Sequence, residues 1–247
     1  MPALRVVVAL GILLTAGCAS NGVERDPRDP WEPMNRAFYD FNEVLDNAIL
    51  EPVAEVYVEL PQGLRTSVTN FFINLSYPTT AINQFLQGKV ETGFEDTMRF
   101  IFNSTLGLAG FIDIAGPAGL ARHDEDFGQT FAVWGMGSGP FINWPILGPS
   151  TVRDTAGIPF NLVTGPLFFI ETGAEFIALY AVDAVDTRAR LIPAVRLRDE
   201  TALDPYVFTR EAYLQQRLNL IYDGDPPLQV LDDVALPPEQ PAPGTTQ

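Results

Sequence analysis

Residues 127–152 read FGQTFAVWGMGSGPFINWPILGPSTV, 26 consecutive positions without a charged side chain. In length alone the run could cross a bilayer as a helix. Its composition argues against that, because Gly135, Gly137, Gly139, Pro140, Pro145 and Pro149 interrupt it. Proline removes a backbone donor and glycine raises the entropic cost of order. Two more charge-free runs behave alike. Thr66–Gly88 has 23 residues and is broken by Pro78, and Thr155–Ile170 has 16 and is broken by Pro159 and Pro166. Each run also carries Asn, Gln, Ser or Thr. The pattern predicts short helices that lie within a membrane and pack on one another, since broken backbone survives at that depth only when buried or lining a polar cavity. Composition by itself equally fits a soluble core with neutral loops.

Working outward, residues 66–182 hold 14 of the 46 charged side chains and 14 of the 17 phenylalanines. The whole chain of 247 residues carries 31 acidic and 15 basic groups, a formal charge of −16, and is 47% hydrophobic. That apolar share excludes an acidic disordered polymer. The charge excludes a phosphate-backbone binder, which needs clustered Lys and Arg, so no nucleic-acid partner is expected. One cysteine excludes an internal disulfide framework, and one histidine beside it leaves too few ligands for a Cys/His zinc site. No cofactor is expected apart from a covalent lipid on Cys18.

The amino terminus reads as an address. Arg5 precedes an apolar run, Val6–Leu14, too short to span a bilayer. Thr15-Ala-Gly-Cys18 follows, small residues before the single cysteine, the lipobox pattern of bacterial lipoproteins. The strictest form of that pattern has an aliphatic residue where Thr15 stands. An ordinary signal peptide with an incidental cysteine is the alternative. Residues 1–17 would be removed, Cys18 acylated, and several acyl chains would give stable anchoring. Ala19 takes the place of the Asp that usually retains such proteins at the inner membrane, which points to the outer one. The expected organisation is a leader at 1–17, a polar tether at 18–30, one helical domain at 31–222 and a disordered acidic, Pro-rich tail at 223–247.

Within the domain, apolar spacing predicts a helix over Asn35–Leu60 with a kink at Pro52. Thr66–Leu75 and Ala81–Leu86 read as two short helices divided by Tyr77-Pro78. Thr92 and Glu95 form a capping-box pattern, Glu95 is spaced to pair with Arg99, and Phe94, Met98 and Ile101 make one apolar face. Residues 107–119 read as a bend, Arg122–Asp126 as a charged island, and Phe127–Pro149 as mixed turn and extended structure. Thr172 and Glu175 repeat the capping pattern before a helix to about Arg190. Asp204-Pro205 starts a last helix running to about Tyr222, with Val207, Leu214, Leu218 and Ile221 in one stripe.

Catalytic signatures are weak. Ser138 follows Gly137 directly, so Gly135–Gly139 is not Gly-x-Ser-x-Gly, nor is it a Gly-x-Gly-x-x-Gly phosphate loop. His123 could form a dyad with Asp124 or Asp126, and a solvated loop is the plainer reading. Trp31, Trp134 and Trp144 suit either a membrane interface or core packing.

Asp29-Pro-Trp-Glu-Pro-Met-Asn-Arg36, Phe41-Asn42, Pro52-Val-Ala54, Asn70-Phe-Phe72 and Asn83-Gln-Phe-Leu-Gln-Gly88 resemble the MlaA/VacJ family of outer-membrane phospholipid-transport lipoproteins. Arg99-Phe100, Asn103-Ser-Thr-Leu-Gly107, Gly110-Phe-Ile-Asp113, Asp126-Phe-Gly-Gln-Thr130, Leu147-Gly-Pro-Ser150, Arg153-Asp154 and Asp204-Pro-Tyr206 continue the resemblance, in order, across roughly 29–222. Phe141 and Trp144 stand where the family more often has Tyr and an aliphatic residue. The resemblance implies an all-α, ring-like bundle of short amphipathic helices in one membrane leaflet, with a small hairpin. It implies a non-enzymatic protein in the periplasm-facing inner leaflet of the outer membrane. Such a protein would remove phospholipid from the outer leaflet through a central amphipathic channel and pass it to a soluble periplasmic carrier (MlaC-like), in association with a trimeric porin. A lipoprotein phospholipase and a purely structural porin-bound lipoprotein are the alternatives. The resemblance also matches Phe127, Gly128, Gln129, Thr130 and Phe131 to a hairpin loop gating the channel. It sets Phe41 and Asn42 in the helix that packs near that gate.

Overall fold

The computed structural model describes residues 26–169 and 173–227. The leader, Cys18, most of the tether, Thr172 and most of the tail lie outside the described residues. The chain enters through α1, Glu32–Leu45, and passes through a π-helical turn at Asp46–Leu50 into α2, Glu51–Val58. The turn accompanies Pro52, which has no N–H to give the carbonyl four residues back, and here Glu51 N–H reaches Asp46 O, five residues back. The sequence thus located the irregularity expected as a kink, and its form is a π-helical turn.

Next comes α3, Gln62–Leu86, a single helix of 25 residues with Pro78 inside it. This corrects the expected division at Tyr77-Pro78. Interrupting a helix with proline costs about 3 kcal/mol. The turns around it are held by burial of Asn74, Tyr77, Thr79, Thr80, Asn83 and Gln84, with α4, Val90–Thr105, packed alongside. Helix α4 begins two residues before Thr92, without a side-chain cap. The capping box is not formed, because the Thr92 hydroxyl donates to Gln84 Oε1 at 2.9 Å instead. Glu95 does not pair with Arg99, whose guanidinium turns inward to Asp113 at 3.0 Å.

After an irregular stretch that includes the expected bend, Asp126 caps α5, Phe127–Val133, accepting from Gln129 N at 2.8 Å. Strands β1, Phe141–Trp144, and β2, Gly148–Thr151, form an antiparallel hairpin pairing Phe141 with Thr151 and Trp144 with Gly148. Thr151 caps α6, Val152–Thr164, and a 3-10 turn at Pro166–Phe169 follows. Helix α7, Ala174–Thr201, continues through Pro193 well past Arg190. Helix α8, Pro205–Ile221, starts as expected, Asp204 accepting from Tyr206 N at 3.0 Å and Val207 N at 3.2 Å. Packing joins α3 to α4, α2 to α7, α5 to α6, α1 to the hairpin, and α8 to α5 and β2.

Helices α5 and α6 cross with almost no space between them. A Cβ placed on Gly157 would lie 2.7 Å from Gly128 N, so two glycines 29 positions apart in sequence allow the backbones to touch.

The interior is polar and the outside greasy. Among the described residues, 21 buried side chains are polar or charged and nine are hydrophobic, while 40 large hydrophobics are exposed. Helix α4 shows the arrangement: Val90, Phe94, Met98 and Ile101 face outward, and Asp96, Arg99 and Asn103 are buried. A water-solvated domain does the reverse. No described helix is long and apolar enough to cross a membrane.

Candidate functional site

Helix α3 carries polar side chains at a spacing of three and four: Gln62, Thr66, Thr69, Asn70, Asn74, Tyr77, Thr80 and Gln84. Such spacing puts them on one face. Towards Leu86 the stripe is buried, and towards Gln62 it opens into two adjoining cavities. One, about 490 Å³, is walled by Gln62, Gly63, Thr66, Ser67, Asn70 and the bend at Phe111, Ile112 and Asp113. The other, about 300 Å³, is walled by Tyr57 of α2, by Gln62, Arg65, Thr66 and Thr69, and by Asp186, Ala189 and Arg190 of α7. Gln62 and Thr66 belong to both, so the two form one trough over the first turns of α3.

A carboxylate organises each part of the trough, Asp186 buried and Asp113 part-exposed. Asp186 accepts from Tyr57 OH at 2.9 Å, from Thr69 Oγ1 at 2.9 and 3.0 Å, and from Arg190 Nε at 3.1 Å. Burial, then the Asp186 charge, pushes the Tyr57 phenol up to about 12, so it stays a neutral donor. Asp113 accepts from Arg99 Nη2 on both carboxylate oxygens at 3.0 Å, from Asn103 Nδ2 at 3.0 Å and from Gly116 N at 3.1 Å. Burial pushes its carboxyl up, but the Gly116 N–H, Asn103 and Arg99 together hold it below the usual range. Arg99 Nε also donates to Tyr77 OH at 2.6 Å, tying the bend to α3.

The residues singled out from sequence lie elsewhere. Phe127–Phe131 is helical, which corrects the hairpin-loop assignment: the hairpin is Phe141–Thr151. The Asp126 cap and the packing of Phe127 and Phe131 on Phe160, at 5.4 and 5.7 Å between ring centres, favour the helix. Phe127, Gly128, Gln129 and Thr130 are buried. Thr130 Oγ1 donates to Asn83 Oδ1 at 2.6 Å, and Gln129 Nε2 to Asp124 O at 3.1 Å. None of the five lines either cavity. Asn42 does meet the hairpin, giving a hydrogen bond to Trp144 O at 2.9 Å and taking one from Ile146 N at 2.7 Å, while Phe41 beside it is exposed. His123 pairs with neither Asp124 nor Asp126. Its Nδ1 lies 3.2 Å from Asp96 Oδ1, and the charged island is partly built into the protein, with Glu125 buried against Lys89. Trp31 and Trp134 are exposed and Trp144 is half-buried, its Nε1 donating to Thr155 Oγ1 at 2.9 Å. Sequence reading missed the trough. The polar spacing along the charge-free run Thr66–Gly88 was visible, but Tyr57, Asp113 and Asp186 join it only through tertiary contacts.

A polar trough inside a greasy exterior agrees with the comparisons. Residues 27–220 match the family model described as MlaA lipoprotein. The chain belongs to the MlaA lipoprotein family. It is 38% identical over 217 residues, 85% of each chain, to the intermembrane phospholipid transport system lipoprotein MlaA of Escherichia coli strain K12. It is 31% identical to the protein of the same name from Haemophilus influenzae strain Rd, covering 87% of this chain and 89% of that one. A solved structure described as a structural basis for maintenance of bacterial outer membrane lipid asymmetry superposes with a TM-score of 0.70 at 34% identity. That match covers 80% of this chain and 99% of the other. It is the helical architecture with one small hairpin, formed by the described residues, that superposes on that structure.

Proposed function

We propose that this lipoprotein transports phospholipid at the outer membrane and so maintains lipid asymmetry there, with its apolar exterior in one leaflet and its polar trough taking the headgroup. The observation that carries the reading is the inverted burial. A phospholipid headgroup is costly to move through hydrocarbon, whereas its tails have no need to leave it. The trough supplies neutral hydroxyl and amide partners for the head, and the exposed Phe, Leu, Ile and Val side chains remain in contact with acyl chains. No bond is made or broken in this process, so the protein acts without covalent catalysis. The relatives named for intermembrane phospholipid transport support the reading.

Finer parts of the proposal follow. Cys18 is acylated after removal of residues 1–17 and holds the domain on the periplasm-facing leaflet. A soluble periplasmic carrier receives the lipid, and a trimeric porin is the membrane partner. The α5 segment Phe127–Phe131 acts as a support for the gate, and Asn42 ties the hairpin turn to α1. The test is direct. In a deletion strain, outer-leaflet phospholipid rises, and the intact gene restores it while a Cys18→Ser copy does so poorly. Unchanged outer-leaflet phospholipid on deletion would leave only a scaffolding role. Release of free fatty acid, abolished by His123→Ala, would instead make the protein a phospholipase.

A further inference from the structure

The trough has a polarity that the chain as a whole lacks. The protein carries a formal charge of −16, yet the charge left unsatisfied at the trough is positive. Both carboxylates are saturated. Asp186 is occupied by Tyr57, Thr69 and Arg190, and Asp113 by Arg99, Asn103 and Gly116. A carboxylate has about four lone-pair sites, so neither has much capacity left for a ligand. The guanidiniums differ. Among the described residues, Arg65, Arg122 and Arg196 are the basic side chains with no carboxylate within ion-pair distance, and of these Arg65 alone lines either cavity of the trough. Arg65 makes one hydrogen bond, from Nε to Leu60 O at 3.1 Å, which leaves both terminal amino groups unused. Across the same 300 Å³ cavity, Arg190 spends Nε on Asp186 and Nη2 on Thr187, and its Nη1 has no partner. Arg65, with both terminal amino groups unused, and Arg190, with Nη1 unused, line one cavity together with the Thr66 hydroxyl, and this set suits a phosphate group: the Arg65 fork can bind it bidentately and Arg190 can add a single charge-assisted donor.

We infer that the cavity walled by Tyr57, Arg65, Thr66, Thr69 and Arg190 is a phosphate site, and that the phosphate it takes is the headgroup ester of the transported phospholipid. The assignment rests on the transport reading for its ligand and on the two arginines for its chemistry. Asp186 is a positioning residue: it orients Arg190 and the Tyr57 and Thr69 hydroxyls. A site of this kind recognises the phosphodiester common to all phospholipids and rejects a lipid with the same tails and no phosphate.

The experiment uses the acylated protein and vesicles holding two tracers with identical acyl chains, phosphatidylglycerol and diacylglycerol, with extraction of each measured. The wild type takes phosphatidylglycerol in preference by about tenfold or more, the scale of a charge-assisted contact. Arg65→Gln with Arg190→Gln lowers phosphatidylglycerol extraction about tenfold and leaves diacylglycerol unchanged. Arg122→Gln, which alters an unpaired arginine away from the cavity, changes neither. Arg65→Gln alone guards against a folding artefact, since Arg65 has no ion pair to lose, and it moves selectivity in the same direction. Equal extraction of both tracers by the double variant and the wild type overturns the site and leaves transport standing. If the wild type extracts neither tracer, the transport reading itself fails. Abolition of phosphatidylglycerol extraction by millimolar inorganic phosphate marks a site for the free anion and overturns the headgroup assignment.

Discussion

Replacing Phe94 by Asp tests the inside-out reading at one position. Phe94 is 61% exposed on the outer face of α4, with its ring edge-on to Phe85 at 5.4 Å. A phenylalanine side chain offers roughly 150–250 Å², so about 100–150 Å² of this one faces outward. At roughly 25 cal/mol/Å² that surface contributes about 3 kcal/mol of contact with hydrocarbon, if hydrocarbon is what it meets. Placing a carboxylate there adds roughly 3 kcal/mol on insertion scales. The sum, about 6 kcal/mol, is a ceiling, because the carboxyl can tilt towards the interface or take up a proton. In water the same change costs at most about 0.7 kcal/mol of helix propensity. The assay is flotation with liposomes in a Cys18→Ser background, where no acyl chain masks the contribution of the surface. The expected result is a fall in partitioning of at least a hundredfold for Phe94→Asp, and a smaller fall for Phe94→Ala. Flotation indistinguishable from the parent for both variants would mean that this face meets water or protein, and the membrane placement would have to be abandoned.

Other outcomes follow from the packing and the charges. Gly157→Ala sets a methyl 2.7 Å from Gly128 N; overpacking of about 2 kcal/mol exceeds the gain of about 1 kcal/mol in helix propensity, so the thermal midpoint drops by roughly 2–4 °C, and a rise would refute the close crossing of α5 and α6. Burial pushes the Asp154 carboxyl up, but Arg217, Arg153 and Tyr213 hold it below its ordinary value of 3.8. The unfolded chain therefore binds the proton more readily, and this stabilisation is present above that value and lost as pH falls through the lower folded one. Thermal midpoints of Asp154→Asn should accordingly decline less steeply below pH 3.8 than those of the wild type, and parallel curves would exclude the effect. Asn42→Ala frees Trp144 O and Ile146 N, and hydrogen exchange at the Ile146 amide should quicken about tenfold, matching about 1.4 kcal/mol; unaltered exchange would show that Asn42 does not hold the hairpin.

What was legible in the sequence was whatever depends on neighbours along the chain. Asp204-Pro205 placed the start of α8, because a cap and its N–H partners lie within three residues. Pro52 located the irregularity between α1 and α2 for the same reason, and the three charge-free runs marked where charge is missing but left open which way their apolar side chains face. Motif order across roughly 29–222 gave the family. Local rules failed where distant partners competed. Pro78 lies within a continuous α3 because burial against the rest of the fold outweighs one lost hydrogen bond. Thr92 leaves its capping role for Gln84, Arg99 leaves Glu95 for Asp113, and His123 leaves its own loop for Asp96. Phe127–Phe131 becomes a helix through contact with Phe160, 29 or more positions away. The trough belongs wholly to this second class. Tyr57, Arg65, Asp113, Asp186 and Arg190 come from four separate stretches, and only the packing of α2, α3, α7 and the bend brings them around shared cavities. Sequence periodicity decides which side of a helix differs from the other; which partner covers the polar side is decided by the tertiary fold, because that choice depends on groups more than a hundred residues apart.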